Sequence, residues 1–342
     1  MAKHRINVGI IGCGAAATLH VKGYLNSQMA NIVALSDRRI DRAKSLAEKF
    51  GLSNVKIFED YEDLLKCGEI EAVSICTPHY LHAEMTLKAA EYKKHVLCEK
   101  PISTSLKQAD EMINACKKSG VKLGVSYQFR FTPDIQKTKK EFDEGEFGIP
   151  IYGEAFVKWY RSDEAYYHAD DVAKSWRGMQ ATEGGGALIT QAIHFIDLLQ
   201  WIMGPVEYLH GIYATRSHRI EVEDIGVACL KFKSGALGLV LGSVSLRPEE
   251  NWLAIYGSKK SVVIGSDNRI TRKWEENPKT VYEEEESPPY GHDGIIKDFL
   301  RAIVEDRDPA IPGEEARKSL EIVIAIYRAH QTGRRIYLPL SE

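Results

Sequence analysis

The chain has 342 residues, more than one typical domain contains, which indicates two domains that each bury their own core. Its 45 lysines and arginines nearly balance 48 aspartates and glutamates, for a formal net charge of −3, so the overall charge does not favour nucleic acid or an anionic membrane as a partner. Its six cysteines lack Cys-x-x-Cys spacing, which favours reduced, mostly buried thiols in a cytoplasmic protein over disulfides or a zinc site.

The first residues predict neither a secretory signal nor a membrane anchor. The apolar stretch 6–11 is too short for the hydrophobic region of a signal peptide, and a glycine-rich turn follows it at once. No apolar run approaches the roughly 18 residues that a membrane helix needs. We therefore expect a cytoplasmic protein without a membrane partner.

The first third of the chain alternates short β-rich runs with helical patterns, which is typical of a parallel sheet with crossover helices. We predict strands at residues 6–11, 32–36, 55–58, 72–77, 96–99 and 122–126, and helices that include 39–50 and 82–93. This pattern predicts an α/β fold whose N-terminal domain, residues 1–126, is a doubly wound parallel sheet of the Rossmann type.

The pattern changes near residue 127, where longer alternating strands begin. We predict strands at 151–160, 206–215, 224–232, 236–246, 252–256 and 261–264, with hairpins at Ser234-Gly235 and Gly257-Ser258. Helices are expected at 134–144, 186–203, 291–304 and 313–333, and residues 337–339 are interpreted as a returning strand. The acidic run 283–286 is interpreted as a solvated loop. Residues 127–342 are therefore predicted to form an α+β domain with a largely antiparallel open sheet.

A G-x-G-x-x-A loop at residues 12–17 follows the first predicted strand and opens a helix. Gly12 is needed for the tight turn, and Gly14 allows the backbone to approach a pyrophosphate. The backbone of Ala15 and Ala16 then begins the helix whose positive end receives the pyrophosphate. The loop therefore predicts a dinucleotide site.

An acidic residue, Asp37, ends the second predicted strand, twenty residues beyond Ala17. Its carboxylate is expected to accept hydrogen bonds from the adenosine ribose hydroxyls and to repel the 2′-phosphate of NADP, which favours NAD. Arg38 and Arg39 follow directly, and a guanidinium there binds a 2′-phosphate, so NADP use stays open.

Further candidate residues lie where predicted strands end, because ligands of doubly wound sheets bind beyond the carboxyl ends of the strands. These residues are Thr77, Pro78, His79, His82, Glu99 and Lys100. Farther along, Thr190 and His194 are four residues apart, which places them on one face of a predicted helix.

Together these segments resemble the glucose-fructose oxidoreductase and inositol dehydrogenase family, often called Gfo/Idh/MocA, over nearly the whole chain. The motifs are the N-terminal glycine loop, Glu99-Lys100-Pro101, Arg130-Phe131, Trp176-Arg177, the glycine-rich helix with His194 and Asp197, and residues 313–317. The resemblance implies a Rossmann domain, a C-terminal domain whose open sheet mediates homodimers or homotetramers, and tightly held NAD(H) or NADP(H).

By that resemblance, Lys100 occupies the position of the family's active-site lysine, and His194 that of its acid/base histidine. Removal of a hydride from a secondary alcohol requires the hydroxyl proton to leave as well, and a histidine or a lysine with a lowered pKa can accept it. The resemblance also implies that Trp176 and Arg177 contact the nicotinamide region; a core indole beside a surface arginine is the alternative. Asp197 is interpreted as a structural hydrogen-bond acceptor.

Two positions depart from the family pattern. Many members have aspartate where this chain has Thr190, which brings no charge to raise the pKa of His194 and is expected to bind a substrate hydroxyl or only to pack. His79 stands where the family commonly has asparagine near the cofactor ribose. With His82 it suggests a metal pair, but no carboxylate ligand is nearby, and we predict no metal site.

The predicted reaction is hydride transfer between NAD(P) and a secondary-alcohol carbon of a sugar, cyclitol or nucleotide sugar. The residues expected to contact the substrate are Lys100, Arg130, Tyr160, Thr190 and His194. Further candidates for the pocket wall are Arg161, Tyr166, Tyr167, His168 and His292. Two alternatives stay open: an NAD-dependent glycosidase that oxidises a ring carbon transiently, and a cofactor-binding regulator, which would need no proton carrier.

Overall fold

The computed structural model describes residues 5–276 and 291–340. The chain divides into two compact units, one formed by Met1–Gln128 with Tyr290–Arg317 and the other by Phe129–Pro289 with Lys318–Glu342. The acidic run 283–286, interpreted above as a solvated loop, lies outside the described residues.

Strands and helices alternate in the first part of the chain, as its sequence pattern predicts. The strands are β1 (Ile6–Ile11), β2 (Ala30–Ser36), β3 (Lys56–Phe58), β4 (Ala72–Ile75), β5 (His95–Glu99) and β6 (Leu123–Ser126). The helices are α1 (Ala15–Ser27), α2 (Ile40–Lys49), α3 (Tyr61–Leu65), α4 (His82–Glu91) and α5 (Leu106–Ser119).

Longer strands and additional helices follow. The strands are β7 (Pro150–Lys158), β8 (Val206–Ala214), β9 (Ile225–Phe232), β10 (Leu237–Ser243), β11 (Glu250–Gly257), β12 (Lys260–Ile264), β13 (Ile270–Glu275) and β14 (Ile336–Tyr337). The helices are α6 (Pro133–Asp143), α7 (Asp171–Lys174), α8 (Gln180–Glu183), α9 (Ile193–Met203), α10 (Gly291–Val304) and α11 (Gly313–Thr332). Two π-helical turns, Asp163–Tyr167 and Leu188–Ala192, lie among them.

The first unit is built on a parallel six-stranded sheet with the order β3-β2-β1-β4-β5-β6. The central strand β4 is buried at every residue, because helices cover both faces of the sheet. The order reverses beside β1, which is the arrangement of a doubly wound dinucleotide-binding fold. The predicted Rossmann-type sheet is confirmed.

Helix α10 belongs to the first unit, although the sequence prediction assigned all of residues 127–342 to the second domain. It packs on α1 so closely that a Cβ at Gly23 would lie 2.3 Å from Ile296 Cδ1. Gly124 of β6 also forms a bridge with Pro312. The apolar face of an amphipathic helix is visible in a sequence, but the domain that receives this face is not.

The second unit is built on an eight-stranded sheet with the order β13-β12-β11-β7-β10-β9-β8-β14. All strand pairs are antiparallel except β7–β10, and the predicted hairpins β9–β10 and β11–β12 are confirmed. Helix α9 packs against β7 and β11. Strand β13 was not predicted, because its sequence, ITRKWE, carries little of the apolar alternation that marks a half-buried strand.

One segment of the second unit, Gln180–Met203, is apolar and long enough to cross a membrane by length and composition alone. In the structure, 94% of its most apolar window is buried, as in the core helix of a globular protein. The sequence prediction that no apolar run approaches the length of a membrane helix therefore missed this segment. The cysteines form no disulfide, and four of them are buried.

Candidate functional site

The glycine loop after β1 has the geometry of a pyrophosphate cradle. Gly12 has φ +87°, and a Cβ there would lie 2.8 Å from the Cys76 carbonyl oxygen, so only glycine fits the turn. Gly14 is the N-cap of α1, where no side chain caps the helix, and a Cβ at Gly14 would meet nothing within 4 Å. This open space lies beside the uncapped N–H groups of Ala15 and Ala16, where a helix terminus attracts phosphate. The loop fits a dinucleotide.

Asp37 is fixed beside this loop. Its Oδ2 accepts a hydrogen bond from the Cys13 N–H at 2.8 Å, and its Oδ1 accepts one from the Arg39 N–H at 2.9 Å. Arg38 and Arg39 are exposed, and the Arg39 guanidinium is paired with Asp41 at 3.0 Å. A carboxylate is therefore held next to the cradle, while one of the two arginines already has an acidic partner.

His82, which was predicted to bind the cofactor, links the ends of β4 and β5 in the structure. Its Nδ1 lies 2.8 Å from the Pro101 carbonyl oxygen, and its Nε2 lies 2.9 Å from that of Thr77. Burial lowers the pKa of this imidazole. Both ring nitrogens thus contact backbone carbonyl groups. His82 therefore links the Thr77-Pro78-His79 turn to the Lys100-Pro101 segment.

A buried chain of polar side chains lies behind Lys100. The Tyr24 hydroxyl is 2.7 Å from Ser74 Oγ, which is 2.9 Å from His20 Nδ1; His20 Nε2 is 2.9 Å from Glu99 Oε1. Burial raises the pKa of Glu99, but the hydrogen bond from His20 and the charges of His20 and Lys100 outweigh it and hold that pKa well below its usual range. Glu99 therefore presents a fixed negative charge next to Lys100.

His20 was not predicted as a site residue. Its only sequence signal is its position on the first helix, with no motif of its own. His292, a candidate for the pocket wall, lies near His20 with ring centroids 6.1 Å apart, and burial lowers its pKa to about 4. His292 is accordingly a neutral neighbour of this buried chain in the first unit.

In the second unit, the glycine-rich segment before His194 is held by a buried carboxylate. Glu223 accepts hydrogen bonds from Gly186 N–H at 2.7 Å, Leu188 N–H at 2.9 Å and the Tyr327 hydroxyl at 2.9 Å. A Cβ at Gly186 would lie 1.8 Å from the Glu223 carbonyl oxygen. Sequence reasoning missed Glu223, because it lies thirty-seven residues from the segment that it fixes.

The predicted helix at 186–203 begins as the π-helical turn Leu188–Ala192 and continues as α9. Such π-turns occur frequently at functional sites. The Thr190 hydroxyl donates to the Gly186 carbonyl at 2.8 Å, which leaves its oxygen able only to accept a further hydrogen bond. His194 is buried, and its ring lies 4.7 Å from that of Phe129.

Arg130, predicted to contact the substrate, instead has a structural partner. Its Nε and Nη2 donate to the two oxygens of Asp197 at 2.7 Å each, and both side chains are almost fully buried. Ser319 Oγ also donates to Asp197, at 2.7 Å. Because this bidentate pair uses the fork of the guanidinium, Arg130 is not part of the substrate site that we propose below.

Trp176 and Arg177 belong to a cluster of aromatic and cationic side chains. Trp176 is buried, and the Arg177 guanidinium carbon lies 3.8 Å from the Tyr166 ring centroid and 4.5 Å from that of Trp176. The Tyr166 hydroxyl accepts a hydrogen bond from Gln191 Nε2 at 3.1 Å. This bond connects the cluster to the π-turn that precedes His194.

A cavity of about 200 Å³ opens in the second unit. Its wall is formed by Phe129, Trp159, Phe195, Glu249, Asn251 and Ser266. Trp159, rather than the predicted Tyr160, faces it, because neighbouring residues of an extended segment point to opposite sides. The Arg247 guanidinium carbon instead lies 3.7 Å from the Tyr160 ring centroid. Of the remaining candidates, Tyr167 is buried near His218, and His168 is exposed.

Two parts of the chain match the profiles of known protein families. Residues 6–127 match the profile of an oxidoreductase family with an NAD-binding Rossmann fold, named GFO_IDH_MocA. Residues 135–263 match the profile of the GFO/IDH/MocA C-terminal domain. The glycine loop and Asp37 therefore lie in an NAD-binding domain.

Similar proteins include sugar and cyclitol dehydrogenases. Myo-inositol 2-dehydrogenase of Thermotoga maritima is 27% identical over 97% of this chain and 98% of its own length. The uncharacterized oxidoreductase YrbE of Bacillus subtilis is 32% identical over 78% of this chain and 76% of its own. The WlbA dehydrogenase of Bordetella pertussis, crystallised with NADH and UDP-GlcNAcA, superposes with a TM-score of 0.89 at 31% identity, covering 99% of this chain and 100% of that one.

Proposed function

The chain belongs to the Gfo/Idh/MocA family of NAD-dependent oxidoreductases, and on this basis we propose that it transfers a hydride between the nicotinamide and a secondary-alcohol carbon of a sugar or cyclitol. One observation in the first unit carries the proposal. The loop after β1 and the Glu99-Lys100 segment after β5 lie at the same edge of one parallel sheet, because all its strands point the same way. This arrangement supports a role for the Lys100 amine, because dinucleotides bind at the carboxyl edge of such a sheet.

The proton of the substrate hydroxyl requires an acceptor when the alcohol is oxidised. Bound NAD supplies the hydride acceptor. Lys100 donates a hydrogen bond to the hydroxyl and stabilises the developing alkoxide, and the fixed charge of Glu99 keeps this lysine oriented. His194 accepts the proton, and the Thr190 oxygen accepts a hydrogen bond from a neighbouring substrate hydroxyl. The Trp176-Arg177 pair borders the nicotinamide side.

The cavity in the second unit suits a ring that carries several hydroxyls. Trp159 and Phe129 offer apolar faces, while Glu249 and Asn251 offer oxygen and amide groups for hydroxyls. Its volume is below the ~300–1,000 Å³ of sites for drug-sized ligands, which favours a small ligand such as a single sugar ring. Myo-inositol and UDP-GlcNAcA, the compounds named for the Thermotoga and Bordetella proteins, contain rings of this kind.

Net formation of NADH tests the proposal. The purified protein is incubated with NAD and separately with myo-inositol, glucuronate and UDP-GlcNAcA, and nicotinamide reduction is followed by absorbance. At least one compound is expected to give NADH and an oxidised sugar in equal amounts. Turnover of an aryl glycoside without net NADH would instead indicate the transient oxidation of a glycosidase.

The position of Asp37 predicts a preference for NADH over NADPH of at least about tenfold in Kd, because its carboxylate repels a 2′-phosphate. Asp37→Ser is expected to remove most of this preference. Fluorescence titration of the two reduced cofactors measures it, with Asp63→Asn on the exposed surface of α3 as the control. Tighter binding of NADPH by the unmodified protein would show that Arg38 dominates.

We propose that the chain assembles as a homodimer or larger through its open sheet. On β10, Val240 is buried, while Leu237 is 56% exposed and Leu239 and Leu241 are half-buried; Ile212 of β8 is also 56% exposed. Leu237, Leu239 and Leu241 alternate along β10 and so lie on one face of the sheet, and grouped exposed apolar side chains are typical of protein–protein interfaces. Leu239→Asp is expected to give monomers in light scattering, whereas Val304→Asp on α10 is not. A monomeric unmodified protein at micromolar concentration would contradict this assembly.

A further inference from the structure

Two arginines of the second unit lie on aromatic rings and not on carboxylates. The guanidinium carbon of Arg161 is 4.5 Å from the Trp159 ring centroid and 5.5 Å from that of Tyr166, on which Arg177 also lies, at 3.8 Å. Among residues 129–276 and 318–340, neither guanidinium forms an ion pair. The guanidinium groups of Arg161 and Arg177 therefore both lie on the Tyr166 ring, and neither contacts a carboxylate among the described residues of the second unit.

This arrangement is costly for Arg161 without a ligand. Its side chain is half-buried, and burial lowers its pKa; Tyr166 and Glu249 oppose this shift, and Arg177 adds to it. One N–H donates to the Tyr160 carbonyl at 3.1 Å. Because a guanidinium stacked on a ring keeps its remaining N–H groups in its own plane, these groups stay available to an oxyanion.

Arg161 contacts a residue that lines the candidate substrate cavity. Trp159, whose ring contacts Arg161, forms one wall of the cavity, and Phe129, whose ring contacts His194, forms another. Glu249 also lies in the cavity wall. Its negative charge raises the pKa of Arg161, but the two side chains form no ion pair. His194 therefore lies behind one ring of the cavity wall, and the Arg161 guanidinium lies behind another.

We propose that Arg161, assisted by Arg177, binds an oxyanion carried by the substrate, either a carboxylate or a phosphate. The inference rests on the proposed dehydrogenase function and narrows its substrates to anionic sugars. The sugar ring lies on Trp159, and Asn251 and Glu249 bind its hydroxyls. A neutral cyclitol leaves the charge of Arg161 uncompensated, so the site discriminates against it.

Binding to the NADH-loaded protein, measured by calorimetry, tests the site without requiring turnover. The affinity of glucuronate relative to glucose tests recognition of a carboxylate. The affinity of UDP-GlcNAc, whose sugar ring is neutral, tests recognition of a phosphate. We expect at least one anionic compound to bind about tenfold or more tighter than glucose, since charge-assisted hydrogen bonds are the strong ones. The probe that responds identifies the source of the oxyanion.

Arg161→Met keeps the apolar stem on Trp159 and removes the charge. It is expected to weaken binding of the preferred anion about tenfold or more and to change glucose binding by less than about threefold. Arg161→Lys should retain part of the preference. Arg335→Met is the matched control, because Arg335 also lies on a tyrosine ring, Tyr208 at 4.3 Å, on strands remote from the cavity.

Equal losses for glucose and the anions, or no loss at all in Arg161→Met, would overturn the anion site. These outcomes differ from failure of the proposed function. Anionic sugars that bind through Arg161 without any NADH formation would support the anion site and contradict the dehydrogenase. Oxidation of neutral sugars at the same rate by the unmodified protein and by Arg161→Met would support the dehydrogenase and contradict the anion site.

Discussion

Replacing Lys100 by methionine or His194 by alanine is expected to lower the rate of sugar oxidation by about 10² to 10⁴ each, because each change removes a group that handles the hydroxyl proton. The Kd of NADH should change by less than about threefold, since the glycine loop is intact. Single-turnover kinetics separate the two quantities. The losses should be less than additive in the double variant if both residues act on one hydroxyl.

Lys94 provides a matched control for Lys100. It stands directly before β5, at the opposite end of the strand, where its ammonium donates to the Ile70 carbonyl at 2.7 Å and the Cys67 carbonyl at 3.0 Å. Lys94→Met therefore removes a lysine of the same sheet away from the cofactor edge, and it should lower stability without this loss of rate. Near-native turnover in either Lys100→Met or His194→Ala would show that the residue carries no catalytic role in this chain.

Arg130→Ala is expected to lower the free energy of unfolding of the second unit by about 3–5 kcal/mol. The variant leaves the Asp197 carboxylate buried without its ion-pair partner, while the Ser319 hydroxyl still donates a hydrogen bond to it. All five tryptophans lie between residues 159 and 274, so their fluorescence in a denaturant titration reports this unit.

The bidentate pair of Arg317 with Asp110 is a natural control, because it has the same chemistry at a partly exposed site, with side chains 24% and 34% exposed. Arg317→Ala should cost the first unit only about 0–1 kcal/mol, because solvent screens such a pair, and calorimetry measures this cost in the unit that holds no tryptophan. The double variant Arg130→Met with Asp197→Leu should recover much of the lost stability, since no unpaired charge remains. A cost below about 1 kcal/mol for Arg130→Ala would contradict a purely structural role for this residue.

The parallel, doubly wound sheet of the first unit was predictable from sequence, because buried parallel strands and their helices have distinct periodicities. Strand ends were less accurate: the fourth strand was predicted to reach residue 77 and ends at Ile75, where the chain turns toward His79. The assignment of α10 to the first unit could not be predicted, since it depends on a helix face meeting Gly23 after a long separation in sequence.

The candidate site shows the same division between local and distant signals. The glycine loop and Lys100 lie within continuous motifs, so their positions were predictable. His20 contacts Ser74 and Glu99, which are 54 and 79 residues away, and Glu223 contacts Gly186, 37 residues away. Trp159 depends on the side to which an extended segment turns, and no local pattern reveals such contacts. Arg130 lay in a motif, but its buried partner Asp197 became visible only in the fold.

Hydride transfer itself is measured most directly with substrates that carry deuterium on their ring carbons. The protein is incubated with NAD and labelled glucuronate, UDP-GlcNAcA or myo-inositol, and the nicotinamide is analysed by mass spectrometry. We predict that one deuterium moves from a ring carbon of at least one anionic substrate to the nicotinamide and that labelled NADH accumulates. Unlabelled nicotinamide with every substrate, or label that returns to the sugar without net NADH while a glycosidic bond is cleaved, would contradict a dehydrogenase.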